Sequence, residues 1–403
     1  MSFRADLYKK ITRKMKIKLN LFFVLLTGVV FFARPVLAQS NSKTEADDAT
    51  TVSTALTDTL SNVTLFQVPA APDEVLKNIS LTQGDAEMQN KIANGEIKLA
   101  TKKYSKVYVA NNPDALAIDN RFGEVKINTW DRKEFKVEVQ INIYADNLSD
   151  AQSFMDVVNI TDGKKDALVS FKTMIGNTGT SDRLLWKGDS KSHLKKIEIN
   201  YLVYMPSKNA LSINNNYGTT ILPDFDGRLS LNNFCSELKA QKINNPLNEV
   251  KVTYGNASIE SFSGTRLEIA YGHLQLSDAN NLNANISYGE AHIGRLYSSA
   301  NINIRFGREL SIGSFDKKFK ALNINSSYTG LKLGKLNELN ASYDVTTSYG
   351  VLKLNNPQLN FLGKTNKDNI NLSAAKSYKG QAGKSNTTCS IVIKSNFGQV
   401  NLD

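Results

Sequence analysis

Lys251-Val252-Thr253-Tyr254-Gly255, Glu268-Ile269-Ala270-Tyr271-Gly272, Asn285-Ile286-Ser287-Tyr288-Gly289 and Asn303-Ile304-Arg305-Phe306-Gly307 are four copies of one motif, and the stretch 250–354 that holds them decides the fold. Further copies sit at Phe122-Gly123, Tyr217-Gly218, Tyr349-Gly350 and Phe397-Gly398, while Tyr328-Thr329-Gly330 has its glycine one place late. Aromatic positions 217, 234, 254, 271, 288, 306, 328 and 349 are separated by 17, 20, 17, 17, 18, 22 and 21 residues. A repeat near 20 residues is the mark of a solenoid. About five inward apolar side chains at roughly 1.5–3 kcal/mol each supply about 8–15 kcal/mol per unit. Ordering a unit's backbone at roughly 1–2 kcal/mol per residue costs more. A unit therefore persists only against neighbours.

The phase of the pattern identifies strands. Four residues before the aromatic the side chain is apolar: Ile118, Ile213, Val250, Leu267, Ala284, Ile302, Ile324, Val345, Ile393. Two before, it is apolar (Val252, Ile269, Ile286, Ile304) or small and polar (Asn120, Asn215, Ser326, Thr347, Ser395). Period two means a strand with one face inward. After the aromatic the apolar positions fall three and five residues on, as in Leu274/Leu276 and Ala291/Ile293. The switch of parity requires a corner, and glycine is expected to supply its positive φ. Phe234-Cys235 breaks the phase, because Leu229 and Leu231 lie at odd offsets from Phe234. The abundant Asn residues beside these strands read as turn formers and side-chain ladders.

The chain opens with an address. Lys16 and Lys18 precede a 13-residue apolar run at 21–33, and Val36-Leu37-Ala38 offers small residues for cleavage between Ala38 and Gln39. The run is too short for a bilayer span of roughly 20 residues and reads as a secretory signal peptide. Either Met1 or Met15 could initiate it. The full chain has 49 basic and 38 acidic residues; residues 1–38 hold eight and one, which leaves 41 against 37, or net +4. No basic block remains for nucleic acid, and no transmembrane segment is expected in the mature chain.

Residues 39–101 read as a polar leader, in which Pro72-Asp73 and Gly84-Asp85 could each open a short helix. Residues 102–210 read as a strand-rich α/β cap, with strands at 104–110, 115–120, 125–130, 135–144, 168–173 and 197–205. Its one helix, at about 149–159, follows the capping box Ser149-Asp150-Ala151-Gln152. Residues 211–403 read as the solenoid. From 356 the rhythm changes, and longer strands joined by a polar segment at 374–386 predict a closing hairpin over the final coil. The whole is a mainly β protein: a single-stranded β-solenoid (β-helix) of about eight coils behind an N-terminal cap.

The run Leu116-Ala117-Ile118-Asp119-Asn120-Arg121-Phe122-Gly123-Glu124-Val125-Lys126-Ile127-Asn128-Thr129-Trp130-Asp131 resembles the opening of the bacterial putative-adhesin domain family, a domain of unknown function. Glu198-Ile199-Asn200-Tyr201-Leu202-Val203-Tyr204-Met205-Pro206 is similar to its second landmark, and the resemblance covers about 100–403. It implies an exported, non-enzymatic β-solenoid protein of the cell envelope, in the periplasm or on the outer surface. No catalytic residues come with it.

Catalytic templates find little to hold. Cys235 and Cys389 are 154 residues apart. About six coils at roughly 4.8 Å each would separate them, far beyond the ~7 Å reach of a disulfide. His273 and His292, 19 residues apart, could neighbour each other on adjacent coils, but a metal site needs more ligands. Neither cofactor nor metal is expected. The enzymatic alternative is a polysaccharide-active β-helix using carboxylates such as Glu260, Glu268, Glu290 and Glu309, which read as a solvated face. A third alternative is an envelope scaffold or regulator without adhesive activity. The aromatic column reads first as a core ladder and second as an exposed strip that stacks on sugars. The partner is expected to be a surface glycan or an envelope protein.

Overall fold

The computed structural model describes residues 83–176, 193–336, 339–355, 360–365, 375–382 and 387–403. The expected cleavage site at Ala38 and Gln39 lies outside them. The chain is mainly β, with two large sheets of mostly parallel strands, and neither sheet closes into a barrel.

From Ala210 the strands alternate between the sheets. Ala210–Asn216, Leu229–Phe234, Glu249–Thr253, Arg266–Ala270, Leu282–Ser287, Ser299–Arg305 and Ala321–Ser327 lie side by side in the first. The strands that follow each of them, from Thr219–Leu222 to Gly330–Leu333, lie side by side in the second. Pairing is parallel and keeps the motif in step: Leu231, Val250, Leu267, Ala284, Ile302 and Ile324 are successive partners. These residues point inward and are buried, as are Leu274, Leu276, Ala291, Ile293, Leu310 and Ile312 from the facing sheet. One strand from each sheet makes a rung, and the core is the seam between them.

The register explains the break at Phe234. Ile213 pairs with Leu231, so the residue in phase with Tyr217 is Cys235, four places after Leu231. Phe234 is displaced by one, and its ring stands edge-on to Tyr217 and Tyr254 at 88° and 82°.

The polar residues two before the aromatic slot are buried in the seam, where Asn215, Asn233 and Ser326 bond the corner carbonyls, whereas Thr347 Oγ1 and Ser395 Oγ make no hydrogen bond among the described residues. Asn215 Nδ2 donates to Thr219 O, 3.2 Å, and Asn233 Nδ2 to Glu237 O, 3.0 Å, while Thr220 Oγ1 donates to Asn233 Oδ1, 3.0 Å. An apolar side chain there would leave the corner carbonyl without that donor.

The ends of the sheets depart from sequence order. In the first sheet Cys389–Asn396 lies between Ala321–Ser327 and Ala341–Ser348; in the second, Gln399–Leu402 lies between Gly330–Leu333 and Val351–Leu354. The chain runs past this place, turns back and fills it last. At the other end Ala115–Arg121 lies between Leu168–Ile175 and Ala210–Asn216, and Glu124–Thr129 between Leu194–Met205 and Thr219–Leu222. The expected closing hairpin therefore differs in detail. Asn360–Thr365 and Ala375–Ala382 do pair antiparallel, against Ala341–Ser348, but the second strand occupies what reads as a polar connector, and the last residues form an inner rung.

The described residues hold two helices, α1 (Gln83–Ala93) and α2 (Leu148–Asp156). The sequence places α2 one residue late and assigns its cap to Ser149. Asn147 is the N-cap, its Oδ1 accepting from Asp150 N at 2.9 Å. α1 lies in the expected leader, beginning one residue before Gly84. The strand Val158–Lys165 has no counterpart in the sequence reading, because its alternate residues Asn159, Thr161 and Gly163 carry no apolar period.

Candidate functional site

The repeat motif builds its corner in an unexpected way. Positive φ belongs to the aromatic residue and not to the glycine: Phe122 63°, Tyr217 62°, Tyr254 56°, Tyr271 56°, Tyr288 55°, Phe306 54°, Tyr328 52°, Tyr349 53° and Phe397 54°, with Cys235 at 49° in the same slot. This left-handed conformation costs an L-residue roughly 1–2 kcal/mol, and it recurs in every copy of the motif.

The glycine is needed for a different reason. A Cβ on Gly272 would lie 1.8 Å from Gly255 O; on Gly289, 2.0 Å from Gly272 O; on Gly307, 2.3 Å from Gly289 O. The glycines form a column in which each backbone rests on the carbonyl below. Ser236 and Thr329 stand in the same column and turn their hydroxyls to accept from Gly218 N, 3.0 Å, and Gly307 N, 2.9 Å.

The left-handed turn swings each ring out of the seam. From Tyr254, 41% exposed, to Tyr349, 54%, the rings are half in solvent, which overturns the core-ladder reading. They form one stack. Tyr254, Tyr271 and Tyr288 lie 4.7 Å apart between centroids, at 12° and 2°. Phe306 and Tyr328 follow at 5.1 and 5.3 Å, then Phe397 at 4.6 Å and Tyr349 at 4.9 Å, in the spatial order of the rungs and not that of the chain. Each ring covers its neighbour's face, so only edges and hydroxyls are presented. Stacking on a sugar needs an open face, and the strip does not offer one between its ends. Burial between its neighbours raises the pKa of Tyr271, the flanking Tyr254 and Tyr288 add to that, and Arg305 opposes it.

Beside the ladder, the outer face of the first sheet is hollowed into a groove of about 570 Å3. Its lining comes from the positions one and three before each aromatic across five rungs: Lys251 and Thr253, Glu268 and Ala270, Asn285 and Ser287, Asn303 and Arg305, Asn325 and Ser327. Asn303 Nδ2 donates to Asn285 Oδ1 at 3.0 Å and Asn325 Nδ2 to Asn303 Oδ1 at 3.1 Å, making an amide ladder. Glu268 is bound by Arg266. The sequence places these side chains on the strands' outer face by their parity, but the concavity has no signature in it.

On the second sheet's outer face, Glu290 gathers the two histidines. His273 Nδ1 lies 3.1 Å from Glu290 Oε1 and Arg308 Nε 2.7 Å from Oε2; His292 Nε2 is 3.9 Å away and its Nδ1 lies 2.6 Å from Ser311 Oγ. The histidines are diagonal across the ladder, since His273 pairs with Glu290 and His292 with Gln275. Glu260 is 3.5 Å from Lys242. Three of the four carboxylates weighed as catalytic, Glu260, Glu268 and Glu290, thus meet bases, and among the described residues no group of three metal-binding side chains converges. Cys235 and Cys389 are free and six rung steps apart.

At the first rung's end, Tyr104 and Tyr108 on Lys98–Val109 both donate to the carboxylate of Asp162 on Val158–Lys165, joining the edge strands of the two sheets over Phe171. Burial, with help from Asp162, pushes the Tyr108 hydroxyl up to about 12 and Tyr104 further in the same direction. Among the described residues no helix is long and apolar enough to cross a membrane.

No family model and no curated sequence matches the chain. Among solved structures it is similar to a putative cell adhesion protein from Clostridium sporogenes ATCC 15579, at 12% identity over 75% of this chain and 99% of that one, TM-score 0.21. It is similar also to a putative adhesin from Bacteroides fragilis NCTC 9343 (10% identity, 75% and 97%, TM-score 0.32) and to a putative lipid binding protein from Parabacteroides distasonis ATCC 8503 (7%, 75% and 97%, TM-score 0.26).

Proposed function

We propose that the chain is an exported, non-enzymatic interaction module of the bacterial cell envelope, adhesin-like, built as a β-solenoid that presents a repetitive face. The alternation of strands between two parallel sheets and the in-step register support the solenoid. Counting paired strands among the described residues gives eleven rungs, more than the eight read from the aromatic signals, because the two end regions contribute rungs of their own. The basic stem, apolar run and small-residue site ending at Ala38 support export.

The observation that carries binding is the groove. A side-chain surface hollowed across five rungs, on strands fixed by parallel pairing to both sides, is a rigid template for an extended partner. The test is attachment. A deletion strain should adhere less to its surface than the parent, and purified residues 39–403 should restore adhesion or compete with it. Parental adhesion by the deletion strain, with no competition from the protein, would refute the module.

A further inference from the structure

We infer that the groove's ligand is a linear acidic glycan, lying lengthwise across the rungs. This rests on the interaction-module reading and names its ligand class. The ring ladder is not the sugar platform, because its faces are consumed by one another. The groove beside it has the complementary chemistry.

Consider first the amides. A carboxamide has two N–H donors and two acceptor lone pairs. Asn303 spends one N–H on Asn285 and one lone pair on Asn325. One donor and one acceptor remain. Asn285, one rung below, spends only a lone pair on Asn303, and Asn325, one rung above, spends only an N–H, so amides with unspent donors and acceptors recur at a spacing of about 4.8 Å, close to the length of a pyranose unit. The ladder bonds also hold each amide in one rotamer, so little side-chain entropy is lost when a hydroxyl bonds to it. Ser287 adds a hydroxyl on the same floor. A chain of sugar hydroxyls, each able to donate and accept, fits a column of donor–acceptor pairs with the same pitch.

The charges then select among glycans. Lys251 and Arg305 line the groove three rungs apart, about 14 Å, and both are exposed. No ion pair holds either of them among the described residues, whereas Glu268 between them is already bound by Arg266. The groove therefore has two uncommitted cations and a neutralised acid. Carboxylates on a sugar chain would pair with the two, Arg305 in bidentate fashion. Nothing in this scheme requires bond cleavage.

The test uses residues 39–403 with hexamers of galacturonate, alginate and hyaluronan, and with cellohexaose and chitohexaose as neutral controls, read by calorimetry and on an array. At least one acidic hexamer should bind and its dimer should bind far more weakly, because a dimer cannot span Lys251 to Arg305. Arg305→Gln and Lys251→Gln should each weaken the hexamer about tenfold or more, as loss of a charge-assisted bond does. Asn303→Asp, which places an anion in the column, should weaken it similarly. Both cation sites are exposed, so these variants are expected to fold, and circular dichroism checks it. If no acidic hexamer binds, if neutral hexamers bind as well as acidic ones, or if the variants bind like the parent, the inference is overturned. The adhesion result stands or falls separately, since it does not depend on the ligand being a glycan.

Discussion

Gly272→Ala isolates the feature on which the rungs' stacking depends. The added Cβ would lie 1.8 Å from Gly255 O, 2.8 Å from its carbonyl carbon and 3.4 Å from its nitrogen. A carbon–oxygen contact settles near 3.3 Å, so the corner must open by about 1.5 Å. The obstruction is backbone on both sides and cannot rotate away. Opening stretches the bonds that pin this corner, Tyr254 N to Ala270 O and Tyr271 N to Ser287 O, both 2.9 Å, each worth about 1 kcal/mol net and more once buried and unmade. It also separates Tyr271 from one or both stacked neighbours, a further 0.5–1.5 kcal/mol or so for each ring pair. The sum is about 3–5 kcal/mol, in the range reserved for strain and lost buried bonds. Gly163→Ala and Gly330→Ala are the controls. Nothing lies within 4 Å of a Cβ on Gly163, and on Gly330 the nearest atom is Arg308 O at 3.4 Å. Urea titration of the three variants should show a fall in midpoint for Gly272→Ala alone. A Gly272→Ala protein within about 0.5 kcal/mol of the parent would refute the close-approach account of the motif.

Three other outcomes follow from the described geometry. Asn233→Leu removes the donor to Glu237 O and the acceptor of Thr220 Oγ1, and should cost about 1–3 kcal/mol by the same titration, whereas Asn232→Leu on the exposed side of that strand should change little. Alkaline pH should loosen the end of the sheets that Asp162 joins. The Tyr108 pKa is raised from 10.0 to about 12, so its contribution is intact below pH 10 and lost as pH rises through 12. Tyr108→Phe should abolish that part of the loss, followed by phenolate absorbance and near-UV dichroism. Thiol labelling of the native protein should modify half-buried Cys235 well before Cys389, which is buried with its pKa pushed up to about 11. Equal rates would mean that the rung of Cys389 opens as readily as the surface.

Much of the strand pattern is written in the side-chain period. Ile213, Val250, Leu267 and Ile302 face inward as their spacing requires, because a strand with one buried face leaves no other arrangement. The conformation of the aromatic residue is not written there. A ring in phase with isoleucines looks like core, and only the left-handed φ of Tyr271 and its equivalents turns it outward. The break at Phe234 is a related case: Cys235 fills the aromatic slot, and a thiol does not announce itself as a member of a ring column. Spatial order is hidden for a different reason. Ile391, Ile393 and Phe397 carry the same phase as every other rung, so any rung would accept them as neighbours, and the sequence alone does not say which one does. The groove is less visible still. Parity puts Asn285, Asn303 and Arg305 outside, but a groove is made by five rungs together and by no single residue.

The late insertion of Cys389–Asn396 and Gln399–Leu402 bears on how the molecule would carry load. An ordinary stack of coils pulled by its tail peels one edge at a time, each bond failing alone. Here the tail is held from both sides in both sheets, so tension at Asp403 meets four parallel seams together. Those seams shear as a set instead of unzipping. A molecule tethered by its tail and gripped along its groove would thus resist extension at the point where a simple repeat is weakest.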